Sequence, residues 1–280
     1  MKFKIAVVQF DIKQFAPEEN LKRAETFISE ASITGAKVIL FPEDFINGPI
    51  LRKEQYADFD GKFKKVFQTL ARKYSIDIVT GSFIEGEKGK LFNTTYYIDS
   101  KGKILGRYRK INLWIYERSY ITSGDDIVVF NTKFGKVGLA NCWDLSSPEI
   151  FRNLMKKGAR IIFCPSYWLT RDARNGYKYD KEAVAKGIDA WCVARSFENE
   201  IILAYSNGAG KFRFGKKYED NLVGHSQIVV PFRGAIAKLD HNKEGMIIQE
   251  VDTSVVSEAE KAFNIRKDIK NKTNFGKLSR

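Results

Sequence analysis

The sequence predicts one mixed α/β domain in which two sheets pack face to face with helices on the outside. Three observations predict it. Short apolar runs rich in β-branched residues recur along the chain and read as strands that need cover on a face. Helical and hairpin patterns are interleaved rather than segregated. At 280 residues, 44% hydrophobic and 13% aromatic, the chain holds enough apolar material for a large core. No internal repeat and no linker-like stretch divides it. Residues 1–252 are taken as the domain and residues 253–280 as a polar, lysine-rich tail.

The elements follow in order. KIAVVQF (residues 4–10) is a buried strand. Pro17 opens a helix that carries Leu21, Ala24, Ile28 and Ala31 on one face, and Gly35 stops it. KVILFP (37–42) is a second buried strand. Residues 62–74 form a basic amphipathic helix, and residues 76–85 a third strand. Residues 86–90 form a hairpin turn between that strand and residues 91–99, and residues 103–110 are a further strand. Residues 127–142 read as two strands around a tight turn. Residues 147–158 are a helix with Pro148 near its start and Gly158 at its end. IIFCPS is another buried strand, 180–199 a long helix and EIILAYS a strand. A polar, glycine-rich loop spans 207–221. Strands near 226–230, 235–239 and 246–251 complete the domain.

The net charge is +13, but Lys and Arg are spread along the chain and interleaved with Asp and Glu. That distribution reads as a solvated basic surface and not as a nucleic-acid interface. Three cysteines, Cys142, Cys164 and Cys192, do not make a disulfide scaffold and fit a reducing compartment. The N-terminal MKFKIAVVQ lacks a signal-peptide core, and no apolar run approaches a membrane span. A cytoplasmic protein without membrane or nucleic-acid partners is expected.

Cys142 stands where a strand ends and a helix begins, in GLANCWDLSSPEIF. Strand ends in such sheets face ligands, and a helix N-terminus favours a thiolate. On position alone Cys142 reads equally as a nucleophile or as a small buried hydrophobe. Cys164 and Cys192 sit in apolar surroundings and read as core. Neither histidine is an obvious base: His241 lies in a polar turn, and His225 opens a strand and reads as structural. No GxSxG elbow with a histidine and an acid, metal-binding spacing, P-loop or GxGxxG is present. A carboxylate can act as base where its site raises its pKa. Glu43, directly after the apolar VILFP, is placed for that. Lys110 ends ILGRYRK in the same way and could offer charge to an oxyanion, though RYRK alone is simply basic.

LFPE, then YRK, then FGKVGLANCWDLSSPE resemble, in order, the three signature segments of the nitrilase superfamily of carbon–nitrogen hydrolases. VVQF, ERSYITSGD, ARSFEN with AYSN, and GHSQIVVPFRG are similar to further segments of that family, over about residues 4–252. The resemblance implies a four-layer α-β-β-α sandwich with Glu43, Lys110 and Cys142 as a catalytic triad and Glu117 as an additional active-site acid. It implies a thioester route without metal or organic cofactor, in which Lys110 and the backbone N–H of Trp143 stabilise the oxyanion. It also implies a homodimer or higher homo-oligomer, built partly through the tail. Three positions depart from the family pattern: Asp44 and Asn141 stand where apolar residues are usual, and SSPE replaces the more frequent RFPE. A small amide or N-carbamoyl compound is the expected substrate. The alternatives are nitrile hydrolysis or acyl transfer at the same site, or a binding protein without turnover. The segment 165–178 should overhang the pocket, with Tyr167 and Trp168 lining it. Arg171 and Arg174 either hold a substrate carboxylate or phosphate through paired N–H donors or belong to a solvated basic loop.

Overall fold

The computed structural model describes residues 1–215 and 218–271. In chain order the elements are β1 (Lys2–Asp11), α1 (Pro17–Ile33), β2 (Ala36–Leu40), α2 (Lys62–Tyr74), β3 (Asp77–Val79), β4 (Phe83–Glu87), β5 (Lys90–Ile98) and β6 (Ile104–Arg109). There follow β7 (Val129–Thr132), β8 (Gly135–Leu139), α3 (Pro148–Lys156), β9 (Ile161–Pro165), α4 (Ala183–Asn199) and β10 (Ile202–Ser206). The last are β11 (Gly208–Ala209), β12 (Lys211–Phe214), β13 (Tyr218–Asn221), β14 (Gln227–Val230), β15 (Gly234–Lys238), β16 (Gly245–Asp252), α5 (Ser254–Phe263) and α6 (Ile265–Asn271).

One sheet has eight strands, ordered β11-β1-β2-β3-β5-β4, with β16 on β1 and β6 on β5; the other has six, ordered β15-β14-β10-β9-β8-β7. The two-residue period of a strand decides how they stack. On β1, Phe3, Ile5 and Val7 point between the sheets, where they meet Val137 and Leu139 of β8 and Ile161 and Phe163 of β9. The alternate residues Ala6, Val8 and Phe10 point outward to α1 and α2, against Ala24, Ile28, Phe63 and Phe67. On the second sheet Ile162, Cys164, Leu203 and Tyr205 face α3 and α4, against Phe151, Leu154 and Ile188. Three apolar layers therefore separate four structural layers, the α-β-β-α sandwich. Cys164 and Cys192 are fully buried in the outer apolar layer, as expected of core residues. No helix among the described residues is long and apolar enough to cross a membrane.

Two sequence expectations need correction. Residues 76–85 are not one strand: β3 and β4 are separate, and both pair with β5. The chain breaks at Gly81, whose φ is +63°, and a Cβ there would lie 2.0 Å from the Pro42 carbonyl oxygen. That close approach brings the break against the turn that carries Glu43. The glycine-rich stretch 207–221 is not simply a loop, since β11 joins β1 and β12 pairs with β13 as a hairpin. Periodicity misses such strands because two to four residues are too few to establish an alternating face. Residues 216–217 of that stretch and 272–280 of the tail lie outside the described residues. The described part of the tail is helical. Arg266 donates to the carbonyls of Ala159, Asn199 and Glu200, which ties α6 to the ends of α3 and α4.

Gly81→Ala is expected to lower stability by at least about 1 kcal/mol, because positive φ and the blocked Cβ act together. Gly89 has a similar φ of +73° with nothing near its Cβ position, so Gly89→Ala should cost less. Denaturant unfolding of the two variants measures this, and equal losses would show that the approach to Pro42 contributes nothing.

Candidate active site

Four segments end at one edge of the sandwich. Glu43 lies in the turn after β2, Lys110 directly after β6, Glu117 in a short 3₁₀ turn (Glu117–Ser119), and Cys142 begins another (Cys142–Ser146) after β8. The structure brings all four together. The Lys110 ammonium donates to Glu43 Oε1 at 2.8 Å and to Glu117 Oε2 at 2.6 Å, and it is only 1% exposed. Burial works against this charge, but the Glu117 and Glu43 carboxylates outweigh it and hold the ammonium well above the ordinary lysine value. Burial pushes the Glu43 carboxyl up, with Lys110 pulling it the other way. Burial and the Glu43 charge also push the Cys142 thiol well up, so it rests protonated beside a carboxylate.

Cys142 adopts φ +50°, a left-handed conformation that is uncommon for a side-chain-bearing residue. Such strain costs about 1–3 kcal/mol and persists where the surroundings over-determine it. Asp144 supplies that determination. Its buried carboxylate accepts the Tyr108 hydroxyl at 2.6 Å, the backbone N–H groups of Asn141 and Asn112 at 2.9 Å, and the Asn112 amide at 3.0 Å. It thereby ties the cysteine turn to the segment after Lys110. Trp143 is the second residue of the 3₁₀ turn, where a helix start leaves N–H groups without an intrahelical acceptor. Its backbone donor is thus available beside the thiol.

Asn93, on β5, does not stand out in the sequence. Its amide donates to Glu43 Oε1 and to Glu117 Oε1, both at 2.9 Å. Asn141, one of the polar departures from the family pattern, explains the orientation. Its amide donates to Asn93 Oδ1 at 3.0 Å and so aims the Asn93 N–H₂ at the two acids. Asn93 reads in sequence as one polar residue in FNTTYY, and only the pairing of β5 with β6 sets it beside Lys110. Asp144 could have been found as the third residue of a capping pattern after Asn141.

Tyr167 is half-buried, and its backbone N–H acts on the Cys142 thiol. Trp168 is buried. It belongs to a cluster of all four tryptophans of the chain, with Trp114, Trp143 and Trp191 at ring separations of 4.5 to 6.4 Å. This aromatic wall stands beside Cys142. Arg171 and Arg174 are placed differently. Both are exposed, and neither guanidinium makes a hydrogen bond or ion pair among the described residues. The Arg171 backbone N–H is tied to Asp220 of the hairpin at 3.0 Å. His225 packs its Nδ1 3.1 Å from Asp189 of α4, and His241 is exposed.

The carbon–nitrogen hydrolase family model matches residues 4–261. A probable nitrilase of Schizosaccharomyces pombe is 33% identical over 260 residues, covering 90% of this chain and 89% of that protein. The 2-oxoglutaramate amidase of Bacillus subtilis is 29% identical over 278 residues, covering 96% of this chain and 98% of that one. In fold, the crystal structure of a carbon–nitrogen hydrolase from Helicobacter pylori G27 superposes with a TM-score of 0.87 at 22% sequence identity, covering 97% of this chain and 98% of that one.

A thiol whose pKa is raised stays protonated to higher pH than a free cysteine. The ultraviolet thiolate absorbance lost in Cys142→Ala is therefore expected to be absent at neutral pH and to develop only above the ordinary range near about 8.5. A Cys142 thiolate signal already present near neutrality would contradict this balance of burial and charge.

Proposed function

We propose that this chain, which belongs to the carbon–nitrogen hydrolase family, cleaves the C–N bond of a small amide or N-carbamoyl compound through a thioester on Cys142 and releases ammonia. The observation that carries this reading is the buried network in which Glu43, Lys110 and Glu117 share hydrogen bonds beside a strained Cys142. The similarity to an amidase along almost the whole chain supports it.

The geometry suits each step. Glu43 Oε1 is engaged by Lys110 and Asn93, which leaves Oε2 to take the thiol proton. The Cys142 sulfur attacks the amide carbon, and the carbonyl oxygen becomes an oxyanion. Lys110 has three N–H donors, of which two hold Glu43 and Glu117; the third, with the Trp143 backbone N–H, meets the oxyanion. Glu43 returns its proton to the nitrogen as the C–N bond breaks, so ammonia leaves and a thioester remains. Water then enters, Glu43 takes its proton, and the acid product departs as the thiol is restored. Glu117 serves by fixing Lys110 and by accepting from the Trp114 backbone N–H at 2.7 Å.

A screen of amides, N-carbamoyl compounds and nitriles with ammonia as the readout tests the reading. Cys142→Ala is expected to abolish turnover, and Glu43→Gln and Lys110→Ala each to lower kcat by about a hundredfold or more. Since Glu43 must be ionised to act and burial raises its pKa, kcat/KM should fall with acidification at a midpoint above the ordinary 4.5. Full activity in Cys142→Ala, or wild-type rates in Glu43→Gln, would end the proposal.

A further inference from the structure

Most carboxylates around Cys142 have partners. Glu43 and Glu117 share Lys110 and Asn93, Asp144 is filled by its donors, and Asp172 accepts the Leu169 backbone N–H at 2.8 Å. Asp44 is different. It is only 8% exposed, yet its carboxylate makes no hydrogen bond or ion pair among the described residues; only its backbone is engaged, by Ser82 and Gly48. Its carboxylate oxygens are not among the polar atoms sealed in the interior without a partner, so they remain open to a donor that arrives from outside. Its position is central. It follows Glu43 directly, and its charge acts on the phenols of Tyr120 and Tyr167, the latter residue also touching the thiol through its backbone.

Backbone geometry accounts for part of this choice. Asp44 has φ +51°, a conformation that Asp, Asn and Gly tolerate better than other residues. It does not account for the charge, since Asn would serve the backbone as well. Surrounding electrostatics point the same way. Burial and the Glu43 and Glu117 charges raise the Asp44 carboxyl well above its ordinary range, an environment that a cation beside it would relieve. Burial also pushes Asp172 up to about 7, against the pull of its bond from Leu169. The net charge of the chain is +13, yet Glu43, Asp44, Glu117 and Asp172 gather around the single ammonium of Lys110, and Arg171 and Arg174 lie exposed.

We propose that Asp44 determines substrate specificity by receiving an ammonium, or another charged N–H donor, on the acyl chain of the amide, so that cationic amides are favoured over amides bearing a carboxylate there. This rests on the amidase reading above and names its substrate class. The aromatic wall of Trp114, Trp143 and Trp168 suits the same ligand, covering the methylenes that lead to the charge.

Two measurements test it. The first compares kcat/KM for δ-aminovaleramide, valeramide and glutaramate, which differ chiefly in the charge of the acyl end. The wild type is expected to prefer the cationic over the anionic amide by about tenfold or more, the scale of one charge-assisted hydrogen bond. Asp44→Asn should collapse the ratio of cationic to neutral amide by about the same factor, mainly through KM. Asp44→Gly, which also suits positive φ, replaces it should that variant not fold. The second follows modification of Cys142 by aminoethyl, methyl and sulfonatoethyl methanethiosulfonate, by peptide mass and relative to a free thiol. The same order, flattened by the substitution, is expected without any turnover. Amides hydrolysed without regard to charge, a preference for glutaramate, or an unchanged ratio in Asp44→Asn would overturn the role of Asp44 and leave the amidase reading standing. Inert amides with a charge-ordered reaction at Cys142 that Asp44→Asn removes would do the reverse.

Discussion

The structure at this edge of the sandwich depends on one buried cation. Lys110 is 1% exposed, and removing a lysine ammonium from water is expensive unless carboxylates and hydrogen bonds surround it. Glu43 and Glu117 meet that requirement, one from the turn after β2 and one from the turn that follows Lys110 itself. Three charged groups from separate segments must therefore arrive within hydrogen-bond distance at the same point. The sandwich makes this possible because β2 and β6 lie in one sheet and end at the same edge. The ionic cluster is costly as a stabilising device, since an apolar cluster of the same volume would serve folding as well. Its retention beside a strained cysteine is understandable if the charges are there for chemistry.

Around this cluster lies a layer of neutral amides and one further acid. Asn141 orients Asn93, Asn93 braces both glutamates, and Asp144 holds the cysteine turn to the chain beyond Lys110. These contacts convert strand ends, which are free to wander in isolation, into a fixed constellation. They also give physical sense to a departure from the family pattern. Asn141 in place of an apolar residue is not a loosened position, because its amide has an acceptor in the core. Asp44, the other polar departure, has no such partner for its side chain among the described residues, and that asymmetry points from structure to ligand.

Much of the fold was legible because strand parity and helix faces leave a direct trace in sequence. α2 begins and ends where the amphipathic pattern places it, and the buried runs around Val7, Val38, Ile162 and Leu203 are all core strands. The break at Gly81 was not legible, because its cause is the Pro42 carbonyl, which lies far along the chain. The hairpin of β12 and β13 was missed because each strand has only four residues, and the alternation of KFRF is too short to stand out. At the site, Glu43, Lys110 and Cys142 stood out as strand-end residues with the right chemistry, and the resemblance put them in order. Asn93 left no such trace, since its role comes from cross-strand register. Of the two readings of Arg171 and Arg174, the exposure of both side chains fits the solvated basic loop.

The central claim is that the reaction passes through a covalent bond to Cys142. Acid-quenched mixtures of the enzyme with a hydrolysed amide, taken during turnover and digested for peptide mass analysis, test it most directly. The account predicts a mass increase equal to the acyl group on the peptide that contains Cys142, sensitive to hydroxylamine as a thioester is. An acyl group carried by another residue, or steady turnover with no adduct on Cys142 under conditions where a slow deacylating amide is used, would contradict it.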